Sequence, residues 1–339
     1  MTIKGVGFFT RVLDEAPPAE RYRFALEQVT RAERAGFDSV WVAQHHFHEK
    51  EGGLPSPLVF LAHAAALTER IRLGTGIITL PLEHPVRLAE DASVTDLVSG
   101  GRLELGFGSG GTPSSFPSFG TTFDARREVY DAHLATVTAA LRGDAIAGSD
   151  NRLYPASGTL ADRIWEATFS KRGAIAAGRR GNGLLLSRTQ PATPETVGLS
   201  LSDIQNDIID GYLEALPSGV APRILASRTA FVADTTEEAR LWAARGLEKF
   251  RAVFAAQGLD AATGDLDDLI RASDTHLGTP SDVAEQLAAD TTLQRATDVS
   301  FQVHSVDPPH ELILRHIDLL ASEVVPALNW RAQLATASR

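Results

Sequence analysis

Three of the chain's ten histidines fall within four residues, in Gln44-His45-His46-Phe47-His48. Near neutral pH an imidazole can donate or accept a proton, ligate a metal or hydrogen-bond an anion. The preceding Phe37–Ala43 reads as a buried strand, and strand alternation sends His45 and His46 in opposite directions, so one pocket receives only one of them. A second chemical group is Thr168-Phe169-Ser170-Lys171-Arg172-Gly173, followed by the helical Ala174-Ile175-Ala176-Ala177. Ser170 suits an N-cap, yet cations crowd the first turn, where a helix dipole favours anions. An external phosphate bound by the free N–H groups, with Arg172 gripping it, would account for that arrangement. A solvated basic turn is the plainer alternative. Arg188, just past a later strand, could reach the same anion.

Glycines mark two further strand ends. Gly74-Thr75-Gly76-Ile77 leaves room for a flat ring pressed on the backbone, or for tight packing. Gly106-Phe107-Gly108-Ser109-Gly110-Gly111 has the letters of a dinucleotide fingerprint but runs into the loop Thr112–Pro117 instead of a helix, so that reading fails on context. What survives is a glycine-rich loop lining a pocket, with Ser109 able to hydrogen-bond its contents. His46 and His48 also admit a metal-dependent hydrolase. The later strand ends at Thr168 and Ser187, however, supply no His, Asp or Glu, and His304 alone cannot complete a ligand set.

These residues need a scaffold, and the chain's rhythm describes one. Strands are expected at Ile3–Phe9, Phe37–Ala43, Ile71–Ile78, Leu103–Phe107, Ile164–Thr168, Leu184–Ser187, Ile224–Val232 and Val299–Val303, with helices between them. Eight βα units in 339 residues imply an α/β protein, a (β/α)8 TIM barrel forming a single domain over 1–339. Gly110–Leu160 and Thr235–Ala296 break the rhythm and read as insertions after strands four and seven. Phe8, Phe107 and Phe301 at strand ends suggest an apolar pocket. In this fold the chemistry sits at the carboxyl ends of the strands.

Composition narrows the classes further. The formal charge is −11, which argues against nucleic acid or an anionic membrane as partner. There is no cysteine, which excludes disulfides, thiolate metal sites and cysteine nucleophiles. The chain opens without a basic-then-apolar leader and has no long apolar run, so a soluble cytoplasmic protein is expected.

Taken together, the landmarks resemble the bacterial luciferase-like monooxygenase family of flavin-dependent TIM-barrel enzymes. The residues that carry the resemblance are Phe37–Phe47, Leu73–Pro81 with His84–Asp91, Leu97–Gly106 and Gly278-Thr279-Pro280, in this order and spacing. The resemblance implies flavin mononucleotide (FMN) as cofactor. His45 matches the catalytic histidine beside the flavin's reactive edge, which helps form or protect a flavin peroxide. Gln44, expected as the second catalytic residue, stands beside it where the family usually has glutamate, and so removes a carboxylate that could raise a neighbouring histidine's pKa. Gly76-Ile77 matches a non-prolyl cis peptide behind the ring, and Thr168, Ser170, Arg172 and Gly173 match the phosphate site. Ser109 stands where some members have a phosphate-binding arginine. The implied reaction oxygenates a small organic substrate with reduced flavin and O2, the reduced flavin coming from a reductase or from NAD(P)H. A homodimer through the helices around Leu58–Leu67 and Val86–Val98 is also implied. Alternatives are a deazaflavin-dependent oxidoreductase on the same barrel, the metal-dependent hydrolase, and a flavin-binding but idle partner subunit.

Overall fold

A computed structural model describes residues 3–331 apart from 147, 192, 194, 195, 197 and 257. Its strands are β1 (Gly5–Thr10), β2 (Ser39–Val42), β3 (Arg72–Thr75), β4 (Ile78–Thr79), β5 (Leu103–Gly108), β6 (Ile164–Ala167), β7 (Gly183–Leu186), β8 (Ile224–Val232), β9 (Thr275–Gly278) and β10 (Asp298–Gln302). Every pairing is parallel. β1 pairs with both β2 and β10, and β10 pairs with β8, which closes an eight-stranded barrel in which β3 and β4 act as one interrupted strand. The TIM-barrel expectation is met.

Helices α1 (Pro18–Ala35), α2 (Pro57–Ala66), α3 (Pro85–Val98), α4 (Arg126–Leu141), α5 (Lys171–Arg180), α6 (Leu201–Ala215), α7 (Thr236–Leu247), α8 (Arg251–Ala256), α9 (Leu266–Ala272), α10 (Pro280–Ala288), α11 (Thr291–Arg295) and α12 (His310–Leu319) clothe the barrel. Their ends follow local chemistry. Proline stands at the start of α1, α2, α3 and α10, where its missing N–H costs nothing. α1 stops at Gly36 because the chain turns there with φ 92°, a conformation glycine adopts without strain. Among the described residues no helix is long and apolar enough to cross a membrane.

Two features differ from the expected pattern. The stretch after the fourth barrel strand contains the barrel's own helix α4, so only its flanks are extra. The stretch after the seventh contains β9, whose Thr275–Gly278 lies against Thr229–Val232 at the upper half of β8. β8 is nine residues long, so its lower half closes the barrel against β10 while its upper half is left free to accept β9.

The barrel interior is filled by two tryptophans. Strand alternation turns Trp41 and Trp165 inward, where their rings meet edge to face at 5.7 Å and 86°. Each lies over a glycine of the next strand: Trp41 is in register with Gly74, Trp165 with Gly183. A Cβ on Gly74 would stand 2.3 Å from the Trp41 ring, and one on Gly183 would stand 2.3 Å from Trp165. Both indole N–H groups are satisfied, by Ser39 Oγ at 2.9 Å and by Glu104 Oε2 at 2.6 Å. Beneath them Arg72 bridges Glu104 and Asp298. Phe9, Ile77, Ala167 and Leu185 pack above the pair, toward the carboxyl ends of the strands.

The same alternation overturns one expectation. Phe8, Phe107 and Phe301 are fully buried on the outward faces of β1, β5 and β10, in the large cluster between barrel and helices, and line no pocket at the mouth. Phe9, one residue on from Phe8, is the phenylalanine that looks inward.

Gly74→Ala should therefore lower stability by about 1–3 kcal/mol through overpacking, read as a reduced urea midpoint with an unchanged slope. An unchanged midpoint would mean that the Trp41 ring can turn aside.

Candidate active site

The carboxyl ends of the strands bring together residues that are far apart in the chain. Arg11 follows β1 directly and continues the inward parity of Gly5, Gly7 and Phe9. Its guanidinium donates to the carbonyl of Glu51, and its own carbonyl accepts from Gly53 N at 3.0 Å. Next to it Val12 is fully buried at φ 55°, an unusual state for a β-branched side chain. Thr10 Oγ1 sustains this turn by accepting from Val12 N at 3.0 Å, and it also meets His304 Nε2 at 3.1 Å, so the ends of β1 and β10 are tied together. Backbone outliers of this kind persist where the surroundings over-determine them and gather at functional sites.

His45 lies three residues beyond β2. Its backbone N donates to Leu54 O at 3.0 Å, and its Nδ1 faces Glu51 Oε2 at 3.8 Å. Gly52 is pressed on the ring so closely that a Cβ would sit 2.4 Å from Cδ2. Burial is the main influence on the imidazole, and the Arg11 guanidinium adds repulsion. Against the opposing pull of Glu51, these lower its pKa to about 4, so the ring is neutral at pH 7. His46 goes elsewhere, as the alternation argument requires, and its ring meets Phe119 at 4.7 Å. His48 Nε2 meets Ser114 Oγ at 2.8 Å. Among the described residues, no three His, Asp or Glu side chains are arranged to hold a metal ion.

Gln44 does not hydrogen-bond His45. Its amide nitrogen donates to Glu83 Oε1 at 2.6 Å and to Pro55 O at 3.2 Å, while Oε1 accepts from Thr79 N at 2.7 Å. Its backbone N donates to Ile77 O at 3.2 Å. Gln44 thus grips both sides of the Gly76–Thr79 segment, in which the Gly76–Ile77 peptide is cis. Its place is that of a positioning residue for the segment that separates β3 from β4.

On the neighbouring wall, β6 ends in the turn that starts α5. Ser170 caps the helix by accepting from Gly173 N at 3.2 Å, and Thr168 Oγ1 accepts from Ser170 N at 3.1 Å. A Cβ on Gly173 would stand 2.1 Å from Thr168 Oγ1, so only glycine lets this turn close. The first two helical N–H groups, of Lys171 and Arg172, have no intrahelical acceptor by construction, and no acidic residue occupies that turn. Lys171 is spent on Asp207 at 2.7 Å. Arg172 stays exposed. The four residues expected at a phosphate site are thus gathered at one helix start, and their donors and missing counter-charge fit a phosphate. Ser109, just past β5 on the adjoining strand, is half-buried beside them in barrel order.

Several groups at the mouth escape a sequence reading. The parity of β1 would have flagged Arg11. Glu51 and Asp307 lie on irregular loops, and no periodicity points to them.

Comparison with known proteins follows the same lines. The profile of the luciferase-like monooxygenase family matches residues 5–297. The chain is 27% identical to the protein y4vJ of Sinorhizobium fredii, over 91% of this chain and 92% of that one. It is 33% identical to limonene 1,2-monooxygenase of Rhodococcus erythropolis, over 50% and 46% of the two chains. Among solved structures, monooxygenase RslO1 from Streptomyces bottropensis superposes with a TM-score of 0.79 at 27% identity, covering 96% of this chain and 99% of that one. The oxygenating constituent of 3,6-diketocamphane monooxygenase from Pseudomonas putida, solved with FMN, has a TM-score of 0.77 at 18% identity over 97% and 99%. An F420-dependent secondary alcohol dehydrogenase shares the fold with a TM-score of 0.71 at 18% identity over 97% and 99%.

The His45 ring should titrate near pH 4 in an NMR pH series, well below the ordinary histidine value of 6.5. Because the folded value is the lower one, the unfolded chain takes the proton first, and stability falls as pH drops from 6.5 toward 4. Glu51→Gln removes the opposing charge and should move the midpoint lower still; a midpoint at 6.5 in either protein contradicts this environment.

Proposed function

The chain belongs to the luciferase-like monooxygenase family, and from that premise we propose that it is an FMN-dependent monooxygenase acting on a small organic substrate. The observation that carries the cofactor choice is the α5 helix start, with free N–H donors, a close-set Gly173, no acidic residue in the first turn and an Arg172 that, among the described residues, makes no ion pair. Bound reduced flavin would supply the two electrons that split O2, one oxygen atom entering the substrate and the other leaving as water.

The remaining work falls to the chain's own residues. Thr168, Ser170, Arg172 and Gly173 hold the phosphate, with Ser109 on the adjoining strand end. The Gly76–Ile77 backbone, fixed by Gln44, offers the flat face against which a ring can rest. His45, kept neutral, is both a donor and an acceptor at the reacting edge, with Glu51 available to select which nitrogen carries the proton. Phe9, Ile77 and the tryptophan pair beneath them close the floor against water.

A separate reductase as the source of reduced flavin is supported by the 35% identity, over 30% of this chain, to a protein named as the oxygenase component of a flavin-dependent trigonelline monooxygenase of Acinetobacter baylyi. A homodimer accounts for Val59 on α2, Leu67 just past its end, and Val94, Leu97 and Val98 on α3, apolar side chains left in water.

The chain should bind FMN at micromolar concentration, with quenching of flavin fluorescence, and more tightly than it binds a deazaflavin coenzyme; the reverse order assigns the pocket to hydride transfer without oxygen. His45→Ala should keep FMN affinity within about threefold yet uncouple oxygen consumption from product formation. Leu97→Glu should shift the chain to monomers in sedimentation, and an unchanged mass would place the dimer contact elsewhere or nowhere.

A further inference from the structure

Two loops of the mouth rise from strands that are not neighbours and are joined across the end of the strand between them. The loop after β2 carries residues 45–53 and the loop after β5 carries residues 110–119, with the interrupted β3–β4 strand between β2 and β5. They touch at three points. Thr112 Oγ1 donates to Glu51 Oε2 at 2.8 Å, and His48 Nε2 meets Ser114 Oγ at 2.8 Å. The rings of His46 and Phe47 stand 4.7 and 5.8 Å from that of Phe119. The second loop also rests on Thr79, since a Cβ on Gly110 would stand 2.5 Å from Thr79 Cγ2.

One of these contacts reaches the histidine. Glu51 Oε2, the oxygen that accepts from Thr112, is also the oxygen that faces His45 Nδ1 at 3.8 Å. The backbone of Glu51 is fixed independently, its N donating to His48 O at 2.9 Å and its carbonyl accepting from the Arg11 guanidinium. The side chain is partly exposed, and among the described residues Thr112 supplies the carboxylate's only hydrogen bond. An untethered glutamate on a loop spreads over several rotamers, and a bond to one oxygen selects among them. Thr112 stands at the N-cap of the short 3-10 helix Pro113–Phe119, where threonine commonly caps. Its side chain nevertheless makes no cap bond there, and its hydroxyl is given to the other loop.

The consequence falls on the neutral imidazole, which has one proton and two nitrogens to carry it. A carboxylate beside Nδ1 draws the proton there and leaves a lone pair on Nε2. Gly52 covers Cδ2 closely, so Nε2 is the polar atom of the ring left to meet a ligand. We propose that Thr112 is a positioning residue for His45, holding the Glu51 carboxylate against Nδ1 so that Nε2 is presented as a hydrogen-bond acceptor to an O–H or N–H at the reacting edge. The proposal rests on the monooxygenase reading only for the use made of Nε2.

The test reads the side-chain nitrogen shifts of His45 by NMR at pH 7, which tell a protonated ring nitrogen from a bare one, in the chain with and without FMN. The ring should be mainly in the Nδ1–H form. Thr112→Val should lower the ratio of Nδ1–H to Nε2–H about threefold or more, the scale of a partly exposed electrostatic contact, and Thr112→Ser should restore it. Glu51→Ala should give the same loss, and adding Thr112→Val to it should change nothing further. Ser114→Ala loosens the loops at their second contact and should leave the ratio unmoved. A ring mainly in the Nε2–H form, or a ratio indifferent to Thr112→Val, overturns the proposal. So does an equal shift in Ser114→Ala, since loop order and not Glu51 would then govern the ring. Thr112→Ala carries the same expectation and decides the matter if Thr112→Val does not fold. If FMN does not bind, the flavin reading fails alone, and the shifts of the flavin-free chain still decide the role of Thr112.

Discussion

The rest of the molecule is arranged around the edge-to-face contact of Trp41 and Trp165 inside the barrel. Two indoles in a space that barrels more often fill with branched aliphatics leave no volume for other side chains at that level. Glycine therefore stands at Gly7, Gly74 and Gly183, where a Cβ would crowd an indole, while at Gly106 a Cβ would meet the Thr75 carbonyl and Leu185. The contact is worth about 0.5–1.5 kcal/mol beyond the area it buries. Its larger consequence is geometric. It seals the lower barrel, so Phe9, Ile77, Ala167 and Leu185 become the floor of a site and not the middle of a core.

Above that floor electrostatics takes over from packing. The protein as a whole is acidic, yet the mouth presents a helix start without an acidic residue in its first turn on the β6 wall and two arginines on the β1 and β7 walls. These two cationic regions differ in kind. At α5 the positive potential comes largely from backbone N–H groups, which cannot titrate and carry no side-chain entropy cost. At Arg11 and Arg188 it comes from side chains held in place by burial and by the knotted turn at Val12. His45 is buried at the edge of the second region, and burial first, then the Arg11 charge, explains why a histidine so close to a carboxylate is neutral. Arg11 and burial outweigh Glu51. The phosphate site proposed after the fifth barrel strand also departs from the commoner placement after strands seven and eight, and in this chain the end of β8 is instead occupied by pairing with β9.

The substitution of glutamine for the expected glutamate at position 44 takes on a different sense in the folded chain. An amide both donates and accepts, and Gln44 uses both capacities, donating to Glu83 and Pro55 and accepting from Thr79 N. A carboxylate at that position would face the Glu83 carboxylate 2.6 Å away without a proton to share. The pair Gln44–Glu83 thus keeps one carboxylate near the β2 end while making the contact neutral to acceptor repulsion. The absence of cysteine, with Met1 the sole thioether sulfur, fits chemistry conducted beside oxygen.

The sequence by itself determined the barrel, because eight alternations of apolar run and amphipathic helix are local patterns, and short connections admit a single handedness. It also determined the helix start at Ser170 and the glycines around the third and fourth strand ends, since caps and close backbone approaches are written in adjacent residues. The divergence of His45 and His46 is likewise a matter of neighbouring positions. Only the tertiary structure decided which phenylalanines face inward, because a shift of one residue in strand register exchanges Phe8 for Phe9. Only it placed Glu51 and Arg11 around one histidine, with Arg188 and Asp307 on other loops of the same mouth. Those four come from segments up to about 300 residues apart and from loops without period, and their meeting depends on closing the sheet through β8, β10 and β1. Local pattern reports what a stretch of chain prefers, whereas the field at a site is a sum over groups that closure alone makes neighbours.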